Sequence, residues 1–178
     1  MPYDKSLRKM TDASRISLRP ATDRDWSQIR RWLSLPEIER WWGPSAAAEA
    51  EVITALGSAH ALTRMIVVDG QDVGYCHAVD AQIWGSELPA GLVAGTWDLD
   101  IFIGEASQRG GGVGLAALTL LRDEVFATTL AVAVSVFTSI ENERAVRAFE
   151  KIGFKWQQIW DDPAMGPTWF MLYERPRR

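Results

Sequence analysis

The chain has 178 residues, of which 47% are hydrophobic and 24% charged, the composition of a folded protein and not of a disordered one. Its net charge of −4 gives no basic footprint for nucleic acid, and its one cysteine, Cys76, excludes an internal disulfide framework and a four-thiolate zinc site. The first fifteen residues hold no apolar signal region and no 18-residue apolar run occurs, so the reading is a cytoplasmic protein with no membrane partner. One domain over 1–178 is expected, with 1–14 as a flexible N-terminal segment.

Ile16 to Pro20 reads as a short strand closed by proline. Thr22 with Asp25 three residues on forms a capping-box pattern, and Trp26, Ile29, Trp32 and Leu33 follow at helical spacing. Pro36 starts a second helix that runs to Trp41-Trp42 and stops at Gly43-Pro44. Ala46 to Leu56 is alanine-rich, includes Glu49 and Glu51, and predicts a third helix ended by Gly57. Met65–Val68 and Val73–Val79 flank Asp69-Gly70-Gln71-Asp72 as a β-hairpin. Ala81 to Gly95 has no sustained period and reads as a loop.

Trp97 to Ile103 alternates apolar and acidic residues, a half-buried strand that puts Asp98 and Asp100 on one face. Gln108-Arg109-Gly110-Gly111-Gly112-Val113-Gly114 follows, and Val113 to Phe126 continues at helical spacing. Leu130 to Phe137 is a continuous apolar run, suited to a strand buried on both faces. Asn142 to Ile152 predicts a helix with Gly153 as its left-handed cap and Phe154 as the cap's apolar contact. Phe154–Trp160 and Thr168–Tyr173 close the chain as a hairpin about Asp161 to Pro167. The runs at 97–103 and 130–137 are then parallel strands joined by a helical crossover.

Glycines at 110, 111, 112 and 114 let backbone N–H groups approach a ligand at a helix N-terminus, where an anion such as a phosphate is favoured. A flexible turn is the plain alternative. The stretch lacks the Gly-Lys-Ser/Thr of a P-loop, and Leu115 stands where a dinucleotide fingerprint needs its last glycine. Arg109 to Gly114 does match Arg-x-x-Gly-x-Gly, which resembles the acetyl-CoA pyrophosphate loop of the GNAT acetyltransferase superfamily. Asn142, Ala145, Phe149 and Gly153-Phe154 resemble the Asn-x-x-Ala-x-x-x-Tyr/Phe-x-x-x-Gly-Phe helix of that superfamily. Asp100-Ile101-Phe102-Ile103-Gly104-Glu105 and Trp41-Trp42 resemble runs of aminoglycoside 6′-N-acetyltransferases.

The resemblance implies an α/β fold with a mixed, mostly antiparallel central sheet, a splayed parallel strand pair beside a bulge, and flanking helices. It implies acetyl-CoA as co-substrate, with no metal, and direct transfer of the acetyl group to a primary amine in a ternary complex. The acceptor would be an aminoglycoside 6′-amine; the alternatives are a siderophore lysine or polyamine, or an inactive acetyl-CoA sensor, since phenylalanine at 149 cannot donate a proton. The acceptor is a small-molecule amine and the chain a monomer or homodimer.

Asp100 is the expected base, because two nearby carboxylates raise one pKa. Ile101, Phe102, Ile103, Gln108, Arg109, Gly110, Gly111, Gly112, Val113, Gly114, Asn142, Ala145 and Phe149 are the expected cofactor contacts. Asn142 has a second reading as a helix cap. Trp42, His77, Trp84, Asp98 and Asp161 are the candidate substrate contacts. Cys76-His77 invites a covalent reading, but a lone cysteine within a strand reads as core.

Overall fold

The computed structural model describes residues 15–85 and 87–177. The expected flexible segment 1–14 lies outside the described residues, as does Ser86 of the expected loop. Seven strands form one sheet: β1 (Ile16–Pro20), β2 (Ala61–Val68), β3 (Gln71–Asp80), β4 (Thr96–Ile103), β5 (Ala133–Ser139), β6 (Lys155–Asp162) and β7 (Gly166–Glu174). Their order is β1-β2-β3-β4-β5-β7-β6, antiparallel throughout except for the β4–β5 pair. The helices are α1 (Trp26–Leu33), α2 (Pro36–Trp42), α3 (Ser45–Leu56), α4 (Ala81–Trp84), α5 (Val113–Thr128) and α6 (Glu143–Lys151).

The period-two parity of β3 and β4 sorts the core into two layers. Cys76, Ala78 and Leu99 face α5 and pack with Ala117, Leu118, Leu121 and Val125. Tyr75 and Phe102 face the other way, onto Ile29, Trp32, Leu33, Ile38 and Val52 of α1 to α3. The expected elements form where periodicity is strong. Thr22 and Asp25 make the reciprocal capping box. Gly153 adopts φ +96° beyond α6 and Phe154 is 2% exposed, the expected cap and its apolar contact. Among the described residues no helix is long and apolar enough to cross a membrane.

Three expectations change. The 81–95 segment opens with one helical turn, α4, because Asp80 accepts a 3.0 Å hydrogen bond from the Gln82 N–H and caps it. The apolar run from Leu130 does not start a strand there: Leu130 is 96% exposed, and β5 begins at Ala133. The Arg175 guanidinium holds the carbonyls of Phe126, Thr129 and Ala131 at 2.8, 2.9 and 2.6 Å, fixing that stretch as the turn out of α5. The third concerns the splay. β4 and β5 pair only from Thr96↔Ala133 to Asp98↔Ser135, and then part. No bulge causes this. β4 keeps unbroken register with β3, and β5 with β7, so two intact ladders diverge.

Gly104 shows how the run after β4 is fitted to the helical layer. A Cβ placed there would lie 2.2 Å from the Trp32 ring, while the Trp32 indole N–H donates to Glu105 at 3.0 Å. Ring and backbone leave no room for a methyl group. Gly104→Ala should therefore destabilise the protein by about 2 kcal/mol or more, read from urea unfolding midpoints.

Candidate active site

Where β4 and β5 part, a cleft of about 850 Å³ opens, walled by β4, the glycine loop, the start of α5, α2, Phe137 and Thr138 of β5, and α6. N–H and C=O of one strand residue point to the same side, so an edge without a neighbour offers both to whatever fills the gap. The Ile101 carbonyl accepts the Trp42 indole N–H at 3.1 Å, and the Ile103 carbonyl accepts from Arg109 Nε at 2.8 Å. The N–H groups of Ile101 and Ile103 therefore face the splay as well, where no β5 residue pairs with them. They are suited to an oxyanion or to an extended amide chain.

The glycine loop fits a diphosphate. Gly110 and Gly112 hold φ +79° and +85°, and a Cβ at Gly111 or Gly112 would meet nothing within 4 Å, so open space lies directly over this backbone. Gly112 is the N-cap of α5 and provides no side chain, leaving the first-turn N–H groups for an anion. Arg109 holds the loop to β4, since its guanidinium also donates to the Gly104 carbonyl at 2.7 Å. Arg144, Arg147 and Lys151 of α6 line the same end. The sequence reading missed these three, although their spacing on a helix next to the cradle was visible.

The other end is acidic. Asp100 lines the cleft and lies directly opposite His77 in the β3–β4 register. Glu51 reaches in from α3, with its Oε1 3.3 Å from His77 Nε2, and Asp100 Oδ2 lies 3.9 Å from the same nitrogen. Burial first, then Glu51 and Asp98, push the Asp100 carboxyl well above the usual carboxylate range, against an opposing pull from His77. Asp98, at the last paired position, accepts a hydrogen bond from the Ser135 hydroxyl at 2.9 Å. Burial raises Asp98 to about 7, the serine partly offsets this, and Glu51 and Asp162 add to it. Asp162 was read from sequence with Asp161 as an acidic turn, whereas Glu51 was not singled out. Glu51 sits in an alanine-rich helix with nothing local to mark it.

Of the expected contacts, Asp100, Ile101, Phe102, Ile103, Arg109, Gly110, Gly112, Gly114, Asn142, Ala145, Phe149 and Trp42 line the cleft. Gln108 and Gly111 flank that lining, and Val113 is buried in the core under α5. Asn142 does cap α6, its Oδ1 accepting from the Ala145 N–H at 3.2 Å, which leaves its amide NH₂ for the cleft. Phe149 packs on Phe154 with ring centroids 6.1 Å apart. His77 is 1% exposed, beneath the Trp42 ring, so it meets the cleft through its carboxylate neighbours. Trp84 lies half-buried in α4, outside the cleft lining, and Asp161 is exposed, while its neighbour Asp162 is the one that acts on Asp98. Cys76 is fully buried, and that burial pushes its thiol up, which suits a core residue.

A sheet forked between two parallel strands, with a glycine cradle and a basic rim at one end and carboxylates at the other, defines a coenzyme A-dependent acyltransferase. The chain belongs to the acetyltransferase (GNAT) domain family, whose model matches residues 21–162. Aminoglycoside N(6′)-acetyltransferase type 1 of Serratia marcescens is 27% identical, over 92% of this chain and 87% of that protein. A protein of the same name from Klebsiella pneumoniae is also 27% identical, over 90% and 83%. Aminoglycoside acetyltransferase AAC(6′)-Ib, solved with coenzyme A and kanamycin, matches with a TM-score of 0.79 at 25% identity, covering 90% of this chain and 95% of that one.

A carboxyl raised in the fold holds its proton above the pH at which the unfolded chain releases it, so the native state binds more protons in that window. Stability should fall as pH rises from about 3.8 through about 7. Asp98→Asn should flatten the slope, measured by urea unfolding across that range; an unchanged slope would mean that Asp98 does not titrate there. Gly112→Val should weaken coenzyme A binding tenfold or more, roughly 1.4 kcal/mol, by calorimetry.

Proposed function

We propose that the protein transfers the acetyl group of acetyl-CoA directly to a primary amine of a polycationic small molecule, with an aminoglycoside 6′-amine as the acceptor. The observation that carries this reading is the position of Asp100, a raised carboxylate in the cleft beside the unpaired edge of β4. The relatives named for 6′-acetylation of aminoglycosides support the acceptor class.

The diphosphate of coenzyme A rests on the loop from Gln108 to Gly114, with Arg144, Arg147 and Lys151 beside it, and pantetheine follows the open edge of β4. An acceptor enters as an ammonium, and Asp100 takes its proton, a task for which a carboxyl held above its ordinary range is suited. The freed nitrogen attacks the thioester carbonyl. The oxyanion meets the N–H of Ile101 or Ile103, and collapse forms the amide and expels the thiolate, which takes up a proton. Phe149 can supply none, so water or the acceptor's own second proton serves.

A siderophore lysine or a polyamine would use the same chemistry with fewer charges, and a catalytically inactive sensor would bind acetyl-CoA without turnover. Thiol release from acetyl-CoA against kanamycin, spermidine and hydroxylysine separates these readings. Asp100→Asn should lower turnover about 10²-fold or more and spare acetyl-CoA affinity, since the amide is isosteric but not basic. The acceptor KM should rise with salt as screening weakens attraction to the acidic end; a salt-independent KM would point to a weakly charged amine. Cys76→Ala should keep turnover within about threefold, and trapping an acetyl group on Cys76 would overturn direct transfer.

A further inference from the structure

Several acids of this protein are matched by arginines. Asp25 and Asp72 share Arg19, Glu49 pairs with Arg30, Glu105 with Arg31, and Glu124 with Arg64. No arginine or lysine among the described residues forms such a pair with Glu51 or Asp100; their ion-pair partner is His77. A pair of carboxylates set in a partly buried pocket with one imidazole between them has a deficit of positive charge.

The imidazole is held firmly. Tyr75 is fully buried, and its hydroxyl lies 3.2 Å from His77 Nδ1. Burial, with the nearby acids adding to it, keeps that phenol protonated. The other ring nitrogen, Nε2, lies 3.3 Å from the Glu51 carboxylate and 3.9 Å from that of Asp100. The rings of Trp42 and Tyr75 meet the imidazole edge-on, each with centroids 5.7 Å away, and fix its plane. His77 is thus a buried imidazole whose Nε2 lies within ion-pair range of two carboxylates, each a little over a third exposed.

We propose that His77 is a positioning residue that holds Glu51 and Asp100 together, and that Glu51 gives the acceptor's reacting ammonium its second carboxylate contact. This rests on the acceptor reading of the preceding section. The ligand atoms of Glu51, His77 and Asp100 all lie within 4.8 Å of one another. Two oxygens at that spacing can each accept a hydrogen bond of about 2.9 Å from one ammonium nitrogen. Transfer of one of these protons to Asp100 leaves the lone pair that attacks the thioester. The neutral amide product lacks the charge that both carboxylates favour, so the contact discriminates between substrate and acetylated product.

The test uses kanamycin and spermidine as probes, with binding read by calorimetry and turnover by thiol release. Glu51→Gln should weaken acceptor affinity and raise the acceptor KM tenfold or more, lower kcat far less than Asp100→Asn does, and leave acetyl-CoA affinity within twofold. His77→Leu should reproduce the rise in KM, whereas His77→Gln, which keeps an N–H donor near the Nε2 position, should restore KM to within about threefold. A merely structural histidine would show no such rescue. Acceptor binding within twofold of wild type in Glu51→Gln would overturn the proposal; this variant alters a partly exposed side chain and carries the test even if His77→Leu fails to fold. Equal kinetics for folded His77→Leu and His77→Gln would overturn the positioning role. If the wild-type protein binds coenzyme A and neither amine, the acceptor reading itself fails and takes this inference with it. That outcome is distinct, because it is reached before any variant is compared.

Discussion

The site depends on the point where β4 and β5 stop pairing. Up to Asp98 and Ser135 the two strands satisfy one another, and the side chains at that last register close the fork with a hydrogen bond of 2.9 Å. Beyond it, backbone groups that a closed sheet would consume are left for other partners. The protein spends two of the freed carbonyls on its own scaffold, through the Trp42 indole and the Arg109 guanidinium. Those two bonds tie α2 and the glycine loop to the same short stretch of β4. One divergence of strands therefore sets the cleft's width, the position of the cradle and the direction of the remaining N–H groups.

Charge is then distributed to match. The basic groups gather where α5 and α6 begin and end beside the cradle, and the acids gather on the far face of β3 and β4 under α3. Separating the two signs along one cleft suits the proposed binding of an anionic cofactor and a cationic acceptor at different ends. The arrangement costs stability, since Asp98 and Asp100 are held where burial opposes their charge. Functional sites commonly retain such groups because their altered acidity is what the chemistry uses.

Much of this was legible in the residues, and the limit falls at a definite place. Period two along Trp97 to Ile103 set the shared face of Asp98 and Asp100, and Asn142 announced itself as a helix cap. The Asp-x-Phe-Ile-Gly-Glu run was visible too, and the fold explains its later members: Phe102 faces Trp32, Gly104 makes room for that ring, and Glu105 receives its N–H. Leu130 misled because a continuous apolar run has no parity to fix where a strand starts, and Arg175, far along the chain, decides it. Glu51 and His77 were harder still. Their relation to Asp100 arises from the antiparallel register of β3 on β4 and from the seating of α3, and neither leaves a local spacing in the sequence.

That difference separates what the family's motifs specify from what this chain adds. The motif residues line the glycine-cradle end of the cleft and supply a carboxylate at a fixed place on β4. The surroundings of that carboxylate come from α3 and from the face of β3 buried under the helical layer, elements brought to it by tertiary packing and by the β3–β4 register. An acceptor is recognised by how many carboxylates surround its ammonium and how firmly each is held. On the proposed reading, Glu51 raises the count in this chain, and a histidine braced on a buried tyrosine adds the firmness. On the proposed reading, acceptor preference can thus change through α3 and β3 while the cofactor end stays as it is, because Glu51 and His77 lie on elements that do not build the glycine cradle.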